Sequence, residues 1–479
     1  MMICVPIVGP SIDLARDQLE RATRSADLAE IRLDLIDQSN FEEMLRLVEG
    51  GPVPLVLTMR HISHGGKYEG VGVERVRLFQ RLLSFSPDYL DIEADAEDVQ
   101  KAVLKEKSRR TKVVYSYHNF DETPSDLEAI YEEIKAKGPD IIKMACSARS
   151  SLDTLRMMQL VKSKAKEGQR VIGLCMGEKG LPTRTLSPLF GNAWTFASLD
   201  EHTMSVANQS RLKDLLEIYR YRKLNVHSKL CALIGSPVDK SVGHIFHNRA
   251  FQNQHLNAVY EKIHVTAGEL GEFFEYARKF PFQGLSVTMP LKESVMPYLD
   301  FIDHRALSIG AVNTIRFREG KLYGYNTDGV GALDAIEERL SVAGKKMLLI
   351  GAGGAAKAIA EEAVSRGAEL CILNRDQNKA KALAEKYDCR HATIQQQKEI
   401  LREGVDILIN STSLGMSPKI KETPVEAADL HHSTLVMDII SNPKETKLLR
   451  EAKLAGCQVI SGMEMFENQA KAQLKLFFK

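Results

Sequence analysis

Over residues 1 to about 224, short runs rich in β-branched and other apolar residues alternate with amphipathic stretches, and this rhythm limits the chain more than any single motif. The runs are MICVPIV, LAEIRLDL, VPLVLTM, YLDIEA, KVVYSY, DIIKMAC, RVIGLCM and AWTFAS. Between them lie patterns such as VERVRLFQRLLS and SDLEAIYEEIKAKG, whose apolar residues fall three and four apart, the spacing of one helix face. Eight strand–helix units in a little over 220 residues predict a closed parallel (β/α)8 TIM barrel. An open doubly wound sheet is the alternative, and it suits that count less well.

At 479 residues the chain exceeds one ordinary core, and two or three domains are expected. A basic stretch, YRYRKLNVHSK, precedes a new strand, LCALIG, which places a boundary near Leu224 to Ser228. The expected division is 1–224, 229–330 and 331–479, all of it α/β. Lys+Arg 64 against Asp+Glu 63 leaves a net charge of +1, so no global field draws the protein to nucleic acid or a membrane. The seven cysteines are scattered without a C-x-x-C pair and read as reduced core residues; no metal-ligand set is read. With no leader-like start and no run near the ~20 apolar residues of a membrane span, a soluble cytoplasmic protein is expected.

In such a barrel, reactive groups gather at the C-terminal ends of the strands. Those ends hold Glu30 and Arg32, Arg60, His118, Lys143 and Arg184. Singly, each has a plain explanation: a lone lysine in an apolar run is more often reaching for water, and a lone histidine is usually a bonded loop residue. Jointly, three arginines beside one lysine suit an anionic substrate, and the positive charges favour the neutral, nucleophilic amine. An amine that condenses with a ketone makes the neighbouring carbon acidic, and a histidine can move the proton to a departing hydroxyl. This chemistry is that of a Schiff-base lyase or aldolase acting on an acidic keto compound.

EIRLDL, LTMRHISHGG, YSYHNFDETP, IIKMACSA and GEKGLPTRTLSPLFGNAWTF, in that order, resemble a type I 3-dehydroquinate dehydratase over the whole first half. The resemblance implies Lys143 as the Schiff-base lysine and His118 as general acid/base. It also implies Glu30, Arg32, Arg60 and Arg184 as substrate-holding groups, with Arg184 on the carboxylate. Two positions depart from the family pattern: His64 stands where a glutamate is usual, and the loop SLDEHTMSV lacks the usual serine followed by Pro-Gly-Gln.

In the second half, LLIGAGGAAKAIA follows a strand and opens a helix. It matches G-x-G-x-x-A at Gly351, Gly353 and Ala356, and the turn Gly351, Ala352, Gly353, Gly354, Ala355, Ala356 is read as the Rossmann dinucleotide-binding loop. At the end of the next strand, in CILNRD, Asn374 and Arg375 stand where a ribose-binding acid is usual, which favours NADP over NAD; Asp376 follows one step later. Upstream, GLSVTMPLKES, IGAVNTI and YGYNTDGVG place Lys292 and Asp328 as a proton donor and its partner for carbonyl reduction.

With CALIGSPVDKSVGHIFHN, LINSTSLGM and SGMEMFENQAKAQ, these motifs resemble shikimate dehydrogenase across residues 229–479. That resemblance implies Lys292 and Asp328 as the catalytic pair and Ser241, Thr288, Asn313 and Gln469 as substrate contacts. Thr412, Ser413, Ile439 and Gly462 are implied near the cofactor. Gly243 replaces the second serine of the family's S-x-S-P, Ser441 replaces a tyrosine, and Ser286 stands where asparagine is common. The implied reactions are consecutive, 3-dehydroquinate to 3-dehydroshikimate and then, with NADPH, to shikimate. Two alternatives stay open on the sequence: one half serving only as a structural or binding module, and a reductase directed to quinate.

Overall fold

The structure, a computed structural model, describes residues 1–37, 41–48, 53–204 and 209–479; residues 205 and 206 of the SLDEHTMSV loop lie outside these. The chain forms two compact units, Met1–Pro281 and Phe282–Lys479.

Eight parallel strands open the first unit: β1 Met2–Ile7, β2 Leu28–Arg32, β3 Leu55–Thr58, β4 Tyr89–Glu93, β5 Lys112–Asn119, β6 Ile141–Ser147, β7 Val171–Met176 and β8 Trp194–Phe196. Each falls on one of the eight apolar runs. They pair in chain order from β1 to β7, and β8 returns to the free edge of β1. From β8 the ring passes to β7 through the Ala193 N–H, which donates to the Val171 carbonyl at 2.8 Å. Next to it the buried Asn192 side chain accepts from the Gly173 N–H at 2.8 Å and donates to the Gly173 carbonyl at 3.3 Å.

The two-residue period of a strand sorts the barrel interior into layers. Cys4, Leu28, Val56, Val114, Ile141, Ile172 and Trp194 share one apolar cluster. Two residues further along several of the same strands come Glu30, Thr58, Ser116 and Lys143, all buried, forming a polar layer directly on the apolar one. Two more strands of this unit, β9 Lys229–Gly235 and β10 Ala258–His264, pair in parallel.

In the second unit, β11 Phe282–Val287, β12 Phe301–Ile302, β13 Thr314–Arg318 and β14 Lys321–Tyr325 come first. β13 and β14 form a hairpin, β11 runs antiparallel to β13, and β12 lies parallel to β14. Six parallel strands follow: β15 Lys346–Ile350, β16 Glu369–Leu373, β17 Arg390–Ala392, β18 Ile407–Asn410, β19 Leu435–Asp438 and β20 Gln458–Ile460. Their order, β17-β16-β15-β18-β19-β20, reverses between β15 and β18, which places a ligand crevice at the C-terminal end of β15. The last helix, Gly462–Phe477, is capped by Ser461 and Glu464 in a reciprocal capping box. It packs on the helix Asp328–Glu337 at Gly331, where a Cβ would stand 2.5 Å from that of Gln469.

Trp194, the single tryptophan, is fully buried in β8, so its fluorescence reports on the barrel alone. Asn192→Ala leaves the Gly173 N–H and carbonyl without their side-chain partner and is expected to destabilise the barrel by about 1–3 kcal/mol. Denaturant unfolding followed at Trp194 checks this; an unchanged midpoint would show that Asn192 does not hold the ring closed.

Candidate active sites

In the barrel, alternation explains how an ammonium sits inside an apolar run. Ile142, Met144 and Cys146 point one way along β6, while Ile141, Lys143 and Ala145 point the other, into the barrel. Lys143 is 7% exposed. Its Nζ lies 3.2 Å from Asp91 Oδ2, 3.5 Å from Glu30 Oε1 and 4.6 Å from the centre of the Phe196 ring. Lys143, Glu30, Arg32, Arg60, His118 and Arg184 line one cavity, so the structure brings together all six residues picked from the strand ends.

The nearest charges to the lysine are not those the sequence suggested. Arginines were expected to surround it, but two carboxylates do. Arg60 is turned toward Asp91 at 2.7 Å and Glu93 at 3.4 Å, and it donates to Ser116 Oγ at 2.7 Å. Arg32 makes a two-pronged bond to Asp34 at 2.9 and 2.8 Å, and Arg75 also binds Glu93. Burial alone would raise the Asp91 carboxyl, but Arg60 and Lys143, with a hydrogen bond from Ser116, outweigh it and hold the group well below the usual carboxylate range.

Arg184 differs from the other cations. It lies in the short helix Pro182–Thr185 after β7 and is 4% exposed. Among the described residues no carboxylate pairs with it, and burial pushes its guanidinium down to about 10. A buried, unpaired guanidinium is costly unless an anion binds there. His118, on β5, stacks on Phe120 with ring centres 6.1 Å apart. Burial, then the charges of Arg60 and Lys143, hold its imidazole well below the usual histidine range, so it stands neutral as a base.

Asp91, Glu93 and Ser116 were not singled out in the sequence, although YLDIEA carries its two acids two residues apart, both on the face that enters the barrel. The signal was the same as for Lys143: a charge inside an apolar run.

In the second unit, Lys292 Nζ and Asp328 Oδ2 lie 2.5 Å apart. Asn313 Nδ2 donates to the other carboxylate oxygen at 2.8 Å, and Asn326 Oδ1 accepts from the Asp328 N–H at 3.0 Å. Asn313 is fixed in turn, its Oδ1 accepting from the Thr327 N–H at 2.9 Å and Thr314 Oγ1 at 2.7 Å. Thr288 follows β11 at the head of the turn into Lys292, its carbonyl accepting from the Leu291 N–H at 2.9 Å. Gln473, one turn beyond Gln469, was missed. It accepts from Ser286 Oγ at 2.8 Å and donates to the Asn313 carbonyl and Thr314 Oγ1, each at 3.0 Å. Ser241 belongs to the first unit, where its Oγ accepts from the Gly243 N–H at 3.2 Å.

The residues of the glycine turn fit a dinucleotide. Gly351 has φ +123°, and a Cβ there would lie 2.3 Å from Ser411 Oγ, so only glycine serves. Gly353 and Gly354 face open space at the N-terminus of the helix Gly354–Ser365, leaving room for a phosphate against the backbone. Ala352, with both glycines, borders a groove also lined by Lys357, Lys379 and Lys386; Ala355 and the buried Ala356 continue the helix.

Asp376, the acid that left the nucleotide open, is used as the N-cap of the helix Gln377–Lys386, accepting from the Asn378 and Lys379 N–H groups. Asn374 donates to the Asp376 carbonyl at 3.0 Å. Arg375 is exposed and, among the described residues, makes no ion pair, which leaves it available to a 2'-phosphate. Thr412 Oγ1 donates to Asn410 Oδ1 at 2.7 Å after β18, with Ser413 beside it. Gly462 packs so close to Ile439 that a Cβ would stand 2.4 Å from the Ile439 carbonyl oxygen.

The comparisons agree with this division of labour. The family model for type I 3-dehydroquinase matches residues 3–226, that for the shikimate dehydrogenase substrate-binding domain residues 233–315, and that for shikimate/quinate 5-dehydrogenase residues 334–459. The chain is 37% identical, over 99% of its length and 82% of the relative's, to the chloroplastic bifunctional 3-dehydroquinate dehydratase/shikimate dehydrogenase of Arabidopsis thaliana. It is 34% identical over its whole length and 95% of the relative's to the shikimate biosynthesis protein AroDE of Chlamydia pneumoniae. A crystal structure of a shikimate dehydrogenase in complex with NADP+ matches 53% of this chain and 91% of its own at 39% identity and a TM-score of 0.50. The chain belongs to the bifunctional 3-dehydroquinate dehydratase/shikimate dehydrogenase family.

Proposed function

We propose that residues 1–224 dehydrate 3-dehydroquinate at Lys143 and that residues 229–330 and 331–479 together reduce the product, 3-dehydroshikimate, to shikimate at Lys292 with NADPH. The observation that carries the first half is the buried Arg184, without a carboxylate partner among the described residues, in one cavity with a buried lysine and a neutral histidine. The substrate carboxylate lies on Arg184, which sets the ketone over Lys143. The nitrogen of Lys143 bonds to the ketone carbon, two protons of its ammonium pass to the ketone oxygen, and that oxygen leaves as water, giving an iminium. Neutral His118 takes the proton from the adjacent carbon, and the electron pair expels the neighbouring hydroxyl as His118 protonates it. Water then releases the product from Lys143. Glu30, Arg32 and Arg60 hold the hydroxylated face of the substrate.

In the second half, NADP(H) supplies the hydride when it is bound. Lys292 donates a proton to the oxygen that develops negative charge, and Asp328, itself held by Asn313, keeps the ammonium aimed at it. Ser241, Thr288, Asn313 and Gln469 contact the substrate. The glycine turn, Asn374, Arg375, Thr412, Ser413, Ile439 and Gly462 hold the cofactor. All seven cysteines are free thiols, which supports a reducing, cytoplasmic setting.

NADPH consumption started from 3-dehydroquinate requires both sites, and single variants separate them. Lys143→Ala is expected to abolish it while leaving reduction of added 3-dehydroshikimate intact, and Lys292→Ala to abolish both. A Lys143→Ala enzyme that still turns over 3-dehydroquinate would refute the assignment of the first site. Arg184→Gln removes a charge-assisted bond worth about 1.5–3 kcal/mol and is expected to raise the dehydratase KM about 10- to 100-fold. A kcat effect with unchanged KM would argue that the carboxylate binds elsewhere.

The depressed His118 also fixes a pH dependence. Its neutral form persists below the ordinary histidine value of about 6.5, so the dehydratase kcat/KM should stay level as pH falls from about 8 through 6.5 and decline only well below. Stability runs the same way: below about 6.5 the unfolded chain takes up a proton the native site refuses, so acidification favours unfolding. A dehydratase midpoint near 6.5 would exclude this histidine environment.

A further inference from the structure

The dehydratase cavity contains a second imidazole that the reaction as described does not use. His64 ends the short turn Ile62–His64 after β3 and lines the cavity with Lys143, His118 and Arg184. Its side chain is 15% exposed, and its Nε2 lies 3.1 Å from Asp95 Oδ2, just past β4. An ionised carboxylate only accepts hydrogen bonds, so in the neutral imidazole Nε2 carries the hydrogen and Nδ1 is the acceptor. That Nδ1 is buried and has no protein partner among the described residues, and the same holds for His118 Nδ1. The two rings stand edge to face, 6.1 Å between centres. No bond joins them directly, and a spacing of this size suits one oxygen atom shared between them.

We propose that His64, oriented by Asp95, holds the water that hydrolyses the Lys143 iminium. This rests on Lys143 as the Schiff-base lysine. A buried acceptor in a reaction cavity is satisfied by an O–H donor, and the last step needs one. The water oxygen bonds to the iminium carbon as one water proton passes to His118; the second O–H stays donated to His64 Nδ1. The C–N bond then breaks as the nitrogen of Lys143 takes two protons, one back from His118 and one from the carbinol oxygen, which becomes the product ketone. Imine formation releases one water, dehydration releases another, and this step consumes one, so the overall reaction releases a single water. His64 contacts the reacting water, and Asp95 is a positioning residue.

The full-length enzyme, turning over 3-dehydroquinate, is quenched with borohydride, and the fraction reduced onto Lys143 is read by mass spectrometry. His64→Ala is expected to lower the dehydratase kcat at least about ten-fold and to raise the trapped fraction, because release from Lys143 has become slow. His64→Gln, which keeps an acceptor oxygen, should recover most of both, and Asp95→Asn should fall between. Reduction of 3-dehydroshikimate and the Trp194 fluorescence should not change, which shows that the variants are folded. A His64→Ala enzyme within about two-fold of the parent, or one that slows with no rise in trapped adduct, overturns the inference and leaves Lys143 in place. No adduct in the unaltered enzyme overturns the Lys143 reading and this inference with it.

Discussion

Charge balance inside the barrel is the constraint on which the first site depends. Arg32, Arg60, Arg75 and Lys143 meet Asp34, Asp91, Glu93 and Glu30 in buried or nearly buried pairs. Removing one partner from such a set leaves an uncompensated buried charge, so the layer is fixed as a unit. Arg184 stands outside it, a positive charge with no protein counterion among the described residues, in one cavity with a lysine that has two. In the proposed reaction the substrate's carboxylate is the missing anion. The apolar layer below, from Cys4 to Trp194, keeps water from entering from the other end and screening these charges.

The second site answers the same problem on a smaller scale. One carboxylate, Asp328, holds one ammonium, and its second oxygen is taken by Asn313. The network continues through Thr327, Thr314 and Gln473, each buried polar group being satisfied by the next. Half-buried Lys292, 30% exposed at its side chain, remains open on one side, as the proposed role of proton donor requires. The geometry therefore gives the lysine freedom and the aspartate none.

Much of this was legible in the chain. The eight barrel strands coincide with the eight apolar runs because a strand buried on both faces must be apolar nearly throughout, and that makes a charged exception conspicuous. Lys143 was found by that exception, and Glu30 and Arg32 by their place at the end of a strand. Asp91 and Glu93 are exceptions of the same kind in YLDIEA, but two acids read as an ordinary solvated edge until β4 is seen to be covered. Gln473 escaped for another reason: on an amphipathic helix a glutamine reads as surface, and only the packing of Gly462–Phe477 turns it inward to Ser286 and Asn313. Asp376, one step past the position of a ribose-binding acid, is used by the structure as a helix cap.

By itself the sequence determined the elements, their order, the glycine turn and the two lysines, since these follow from local periodicity and from residues whose backbone or chemistry allows one use. Tertiary structure alone decided which charge meets which. Arg60 turns from the lysine to Asp91, 31 positions away, and Asp91 then meets Lys143, 52 positions further. Those pairings arise from strand register and barrel closure, through which distant residues come within hydrogen-bonding distance, and no local pattern in the chain encodes them.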